Sequence, residues 1–90
     1  MEFGPDDVID YEGPVTPYRQ LAAILKARIE RGDWQPNRPI PSEARLVQEY
    51  GPARTTVRRA IAALVEEGVL FVVPQRGTFV AEHDDAPPPG

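Results

Sequence analysis

The sequence predicts a mainly α-helical domain with a small β-hairpin: three helices followed by two short strands. Three observations carry this expectation. Apolar residues recur at helical spacing in three stretches, near 17–31, 42–50 and 54–67. Gly32, Gly51 and Gly68 follow these stretches, where a helix closes on a left-handed residue or simply stops. Beyond Gly68 the pattern changes to Leu70-Phe71-Val72-Val73, a Pro-Gln-Arg-Gly turn and Thr78-Phe79-Val80, which has the form of a hairpin.

Residues 1–15 read as an extended acidic arm. Gly4-Pro5 and Gly13-Pro14 break helices, and residues 1–8 have the composition of a solvated tail. Val8, Ile9 and Tyr11 are the arm residues able to lie against a core. The folded domain is expected over 16–81. Its first helix starts with Thr16 as cap and Pro17 in the first turn, where a missing N–H costs nothing. Tyr18, Leu21, Ala22, Leu25 and Ile29 form its apolar stripe, while Arg19, Lys26, Arg28 and Arg31 read as outward charges. Trp34 reads as a core anchor rather than a ligand-stacking residue. The connector over 35–41 holds too many prolines for helix, and Ile40 is placed to pair with the later hairpin.

The second helix begins at Ser42, whose hydroxyl can accept from a backbone N–H one turn in. Gly51 ends it, and a third helix starts almost at once. Val57, Ala60, Ile61 and Leu64 share one face of that third helix; Thr55, Arg58, Arg59 and Ala62 lie opposite. Its first half is basic, and Glu66 and Glu67 close its end. The basic face alone fits an ordinary solvated surface equally well. Two short helices around a tight glycine turn, the second basic and hydroxyl-rich at its start, form the pattern of a DNA-reading helix-turn-helix. In the hairpin, Gly77 frees the backbone to turn or to approach a ligand closely, and Arg76 stands at the tip as either a solvated turn residue or a minor-groove contact.

Several separate motifs agree in order and spacing with a known family. These are Pro17-Tyr18-Arg19-Gln20, Pro41-Ser42-Glu43, Leu46, Gly51, Arg54-Thr55-Thr56-Val57-Arg58-Arg59-Ala60, Leu64, Glu67-Gly68 and Arg76-Gly77-Thr78-Phe79-Val80. Together they resemble the winged-helix DNA-binding domain of the GntR family of bacterial transcription regulators, over roughly Ile9 to Ala81. The resemblance implies a winged helix-turn-helix, three helices plus a two-stranded wing. It also implies contacts to DNA from Ser42, Arg45, Arg54, Thr55, Thr56, Arg58, Arg59, Gln75, Arg76 and Gly77. Two departures stand out. The family usually carries arginine directly after Pro-Ser-Glu, where this chain has Ala44 and then Arg45. Pro52 and Ala53 replace the usual aliphatic residue and serine, so Ala53 offers no side-chain cap to the third helix.

The net charge of −4 at first argues against nucleic acid, but its distribution removes the objection. All ten Lys/Arg and six of the fourteen acids lie within 16–81, which gives the body +4 and the two ends −8. Local field governs a DNA contact more than global charge does. Residues 82–90 are acidic and proline-rich, and a disordered tail is expected there. The chain has no cysteine, and its one histidine, His83, lies in that tail. Acid–base, nucleophilic and metal chemistry therefore lack a constellation, and neither enzyme activity nor a cofactor is expected. No apolar run is long enough to span a membrane.

The expected function is sequence-specific binding of double-stranded DNA by a cytoplasmic, nucleoid-associated transcription regulator. A winged-helix module that binds protein instead is the alternative, and it predicts no salt-dependent duplex affinity. Some ten residues follow the hairpin, which fits either a small regulator without an effector domain or a cut fragment; the Met start and Pro-rich end favour the first, so no small-molecule effector domain is expected. The resembled regulators bind two-fold symmetric operators as dimers. This chain is expected to be a monomer or weak homodimer that pairs on DNA.

Overall fold

The computed structural model describes residues 3–82, so the expected tail over 82–90 lies outside it apart from Glu82. The elements run α1 (Pro17–Arg31), α2 (Glu43–Tyr50), α3 (Arg54–Glu66), β1 (Leu70–Val73) and β2 (Gly77–Val80). This order matches the expected one. α3 is one residue shorter than expected because Glu67 serves as its C-cap.

Each helix end has a local cause. Ser42 accepts from Arg45 N–H at 3.2 Å and so satisfies a donor at the start of α2. Gly51 adopts φ +86°, and its N–H closes on the Val47 carbonyl at 2.8 Å. Thr16 occupies the N-cap of α1, but its hydroxyl accepts no capping bond, contrary to the expectation for that side chain. Pro17 already removes one orphan donor there, and the Thr16 carbonyl takes the N–H groups of Arg19 and Gln20. Ala53 holds capping geometry at φ −63°, ψ 154° with no side-chain bond to give.

The core gathers one face from every element. Leu21, Ile24 and Leu25 of α1 meet Leu46 of α2, Val57, Ala60, Ile61 and Leu64 of α3, and Leu70 and Val80 of the hairpin. Fully burying one of these Leu, Ile or Val side chains contributes about 1.5–3 kcal/mol, so they dominate the fold. The α1 stripe differs from expectation at three positions: Ile24 is fully buried, and Tyr18 and Ile29 are only partly so.

β1 and β2 pair antiparallel, with Leu70 opposite Val80 and Phe71 opposite Phe79. The connector adds to the outer edge of β2, as expected for Ile40. Ile40 N–H donates to the Thr78 carbonyl at 2.9 Å, and Val80 N–H to the Arg38 carbonyl at 2.9 Å. The hairpin is thus flanked on the β2 side and seated on the core by Leu70 and Val80, both nearly inaccessible.

The arm is bound more closely than its composition suggests. Ile9 is buried, in keeping with its place among the arm residues able to lie against a core, and Phe3 packs against the core cluster although residues 1–8 have the composition of a solvated tail. The reason lies in Gln20, a buried polar residue that lies outside the apolar stripe of α1. Its Oε1 accepts from Asp10 N–H at 2.7 Å, and its Nε2 donates to the carbonyls of Asp10 and Val15 at 2.7 and 2.6 Å. One amide thus serves three backbone groups of the arm, and Arg31 adds an ion pair to Asp6 at 3.0 Å. Val8 and Tyr11 remain exposed.

Candidate nucleic-acid interface

α3 is held by its apolar side, and this fixes what its other side presents. Val57, Ala60, Ile61 and Leu64 are buried, so Arg54, Thr55, Arg58, Arg59 and Ala62 face solvent. Thr56 lies at the edge, half-buried. The start of α2 adds Ser42 and Arg45, both exposed. The two helices are joined across this surface by Arg58, whose Nε–H donates to both carboxylate oxygens of Glu43 at 3.2 and 3.3 Å.

The two adjacent arginines of α3 diverge. Arg58 turns toward α2 and Glu43. Arg59 turns toward α1, with its guanidinium 4.2 Å from the centre of the Tyr18 ring. Arg19 donates from Nε to the Tyr18 hydroxyl at 3.2 Å. That hydrogen bond and the Arg19 charge, together with Arg59, hold the phenol below its ordinary pKa. Tyr18 therefore leaves the expected apolar stripe and becomes the platform between two cations.

Gln75, Arg76 and Gly77 form a separate exposed group at the hairpin turn. Gln75 takes φ +67° and Gly77 φ +123°. Arg76 N–H closes the turn on the Val73 carbonyl at 3.0 Å. A non-glycine residue in the left-handed region costs about 1–2 kcal/mol, so the strained position is Gln75. Phe71 and Phe79 stack behind the tip, with ring centres 5.8 Å apart, and stiffen the hairpin.

Three side chains near this surface were not legible as partners. Glu43 and Arg58 are fifteen residues apart, and only the packing of α2 on α3 brings them together. Tyr18 beneath Arg59 depends in the same way on α1 meeting α3. Helical spacing places Arg28 among the outward charges, yet its side chain is only 18% exposed. It donates to Asp33, Glu49 and the Tyr50 hydroxyl, each at 2.9 Å, and lies 4.4 Å from the Trp34 ring centre. Burial alone would lower its pKa, but the bonds to Asp33 and Tyr50 outweigh this and raise it. Arg28 thus locks the end of α1 to the end of α2, and Trp34 packs on the core as the anchor expected.

Among the described residues no group of three or more His, Cys, Asp or Glu converges as a metal site, and no helix is long and apolar enough to cross a membrane.

Residues 17–80 match the family model of bacterial regulatory proteins, gntR family. Over 74 residues the chain is 40% identical to the HTH-type transcriptional repressor NagR of Bacillus subtilis, covering 82% of this chain and 30% of that protein. It is 39% identical over 71 residues to a histidine utilization repressor of Pseudomonas putida, covering 79% of this chain and 29% of the relative. The chain therefore spans about three-tenths of the length of these curated relatives. Among solved structures, the AraR DNA-binding domain in complex with operator ORR3 is 35% identical, with a TM-score of 0.73 over 89% of this chain and 96% of that one. YtrA from Sulfolobus acidocaldarius, a GntR-family transcription factor, is 32% identical, with a TM-score of 0.75 over 84% of this chain and 80% of that one. The chain belongs to the gntR family of bacterial regulatory proteins, and its three helices and hairpin are a winged helix-turn-helix.

Proposed function

We propose that the chain binds double-stranded DNA in a sequence-specific manner as a transcription regulator. The observation that carries this reading is the exposed basic and hydroxyl-rich start of α3, lying opposite the stripe that fixes the helix to the core. The AraR domain that this chain resembles was solved with its operator, which supports the same reading. α3 enters the major groove by its N-terminus. Arg54, Thr55 and Arg58 reach base edges, arginine through guanine O6 and N7 and threonine through the thymine methyl. Ser42, Arg45, Thr56 and Arg59 contact phosphates and set the register of the protein on the duplex. Gln75, Arg76 and Gly77 of the wing lie along the minor groove, where a narrow groove concentrates negative potential.

The unit responsible is residues 16–81, with 1–15 as an accessory arm. It acts in the cytoplasm at the nucleoid. Its operator has two-fold symmetry, and the chain is a monomer or weak dimer in free solution that pairs on DNA. The test is selection from a random-sequence duplex pool followed by titration of the recovered duplex. Enrichment of a short motif, arranged as an inverted repeat, is the expected result. Recovery of unenriched sequence would sink the claim of sequence specificity, and the absence of any salt-dependent duplex affinity would favour a protein-binding module. Sedimentation showing a tight dimer at nanomolar protein would overturn the assembly part alone.

A further inference from the structure

Of the three arginines in α3, only Arg58 is held by a carboxylate among the described residues. The partner, Glu43, is the first residue of α2. The bond uses Arg58 Nε, which donates to both Glu43 oxygens. Neither terminal nitrogen of Arg58 bonds a protein group among the described residues, and the side chain is 62% exposed. An exposed ion pair of this kind does little for fold stability. Its consequence lies in where it leaves the guanidinium. Arginine bridges guanine O6 and N7 with two parallel N–H groups, and its two terminal nitrogens supply such a pair. A bond at Nε leaves that pair free and restrains the flexible stem behind it.

We propose that Glu43 is a specificity-determining positioning residue, which holds Arg58 by its Nε–H so that Nη1 and Nη2 are presented to a single guanine. This rests on the reading of α3 as the DNA-reading helix. Two effects follow from one carboxylate. The Arg58 fork loses fewer rotamers on binding, so the correct base pair is favoured. The carboxylate also offsets the Arg58 charge and repels phosphate, so sequence-independent binding is weakened. Both effects widen the gap between the chosen site and other DNA.

The probes are the duplex recovered from a random pool by the unaltered chain, its single-base variants at each guanine, and an unrelated duplex of the same length. They are titrated with the unaltered chain, Arg58→Ala, Glu43→Ala, Glu43→Gln and the double variant Glu43→Ala/Arg58→Ala. Arg58→Ala first identifies the base pair whose preference it relaxes. Glu43→Ala is expected to lower preference at that same base pair by about two- to tenfold, the effect of freeing one rotamer-rich side chain. It should also tighten binding to the unrelated duplex. Glu43→Gln keeps an oxygen that accepts from Nε, so it should retain part of the preference; it also preserves the test if Glu43→Ala proves unstable. In the Arg58→Ala background, Glu43→Ala should cause no further loss of preference. Three results overturn the proposal. An equal rise in affinity for every duplex, with preference intact, would make Glu43 a bystander acid. Relaxed preference at a different base pair would mean that Glu43 reads a base itself, for example a cytosine amine. If the unaltered chain recovers no preferred sequence, the DNA reading fails first and this proposal with it.

Discussion

Gln20 shows how much one side chain can organise in a small domain. Its amide serves Asp10 and Val15 from inside the core, so truncation strands backbone groups that water cannot easily reach. Gln20→Ala is expected to destabilise the fold by about 1–3 kcal/mol, measured as a lower urea midpoint. Asp33 makes a second residue-scale prediction. Hydrogen bonds from Arg31 and then Arg28 hold its carboxyl well below the usual carboxylate range. A depressed folded pKa contributes stability that is present above the unfolded value near about 4 and is lost as pH falls below it. Asp33→Asn should therefore lower stability at neutral pH and flatten the acid limb of the unfolding profile; an unchanged limb would contradict this. Arg58→Ala is expected to cost about 1–3 kcal/mol of binding and to relax preference at one base pair, read by titration against single-base variants. The exposure of Arg58 was legible from helical spacing, but its bond to Glu43 was not. A contact across fifteen residues depends on how two helices pack, and no local pattern encodes that.

At the scale of elements, the ends of the helices were the most legible feature, because caps and left-handed closures are set by the residues beside them. Gly51 at φ +86° is the clearest case. A Cβ there would meet nothing nearer than the Tyr11 hydroxyl at 4.0 Å, so Gly51→Ala should cost only its conformational strain, about 1–2 kcal/mol in an unfolding titration. Ala53 offers the opposite case. It already holds capping geometry, and its exposed side chain has no role in the core. Ala53→Ser should stabilise the domain by about 0.5–2 kcal/mol, seen as a higher melting temperature. Thr16 marks the limit of this legibility. It sits at the expected cap position without making the capping bond, because residue type fixes the position of a cap more firmly than the rotamer that completes it. The pairing of the connector with β2 was legible only as the placement of Ile40; its three backbone bonds follow from the path of the chain around the core.

For the whole molecule, charge is the property that composition alone misrepresents. The chain is net acidic, yet residues 16–81 carry an excess of cations that includes all three arginines of α3. Deleting the arm would be a poor test of its charge, since Phe3, Asp6 and Ile9 also make contacts. Substituting Glu12→Gln, Asp84→Asn and Asp85→Asn removes three charges and leaves the chain at full length. If the acidic ends compete with phosphate, this variant binds an unrelated duplex more tightly at low salt. The gain should fade as the Debye length falls to about 8 Å near physiological ionic strength. Matching curves for the two proteins would show that the acids do not screen the DNA face. The central claim is that α3 reads sequence from the major groove, and guanine N7 lies only there. The most direct measurement is methylation interference at N7 on the duplex recovered from the random pool. The account predicts that methylating one or two guanines blocks binding, and that Arg58→Ala makes binding indifferent to methylation at one of them. Tolerance of methylation at every guanine would contradict it.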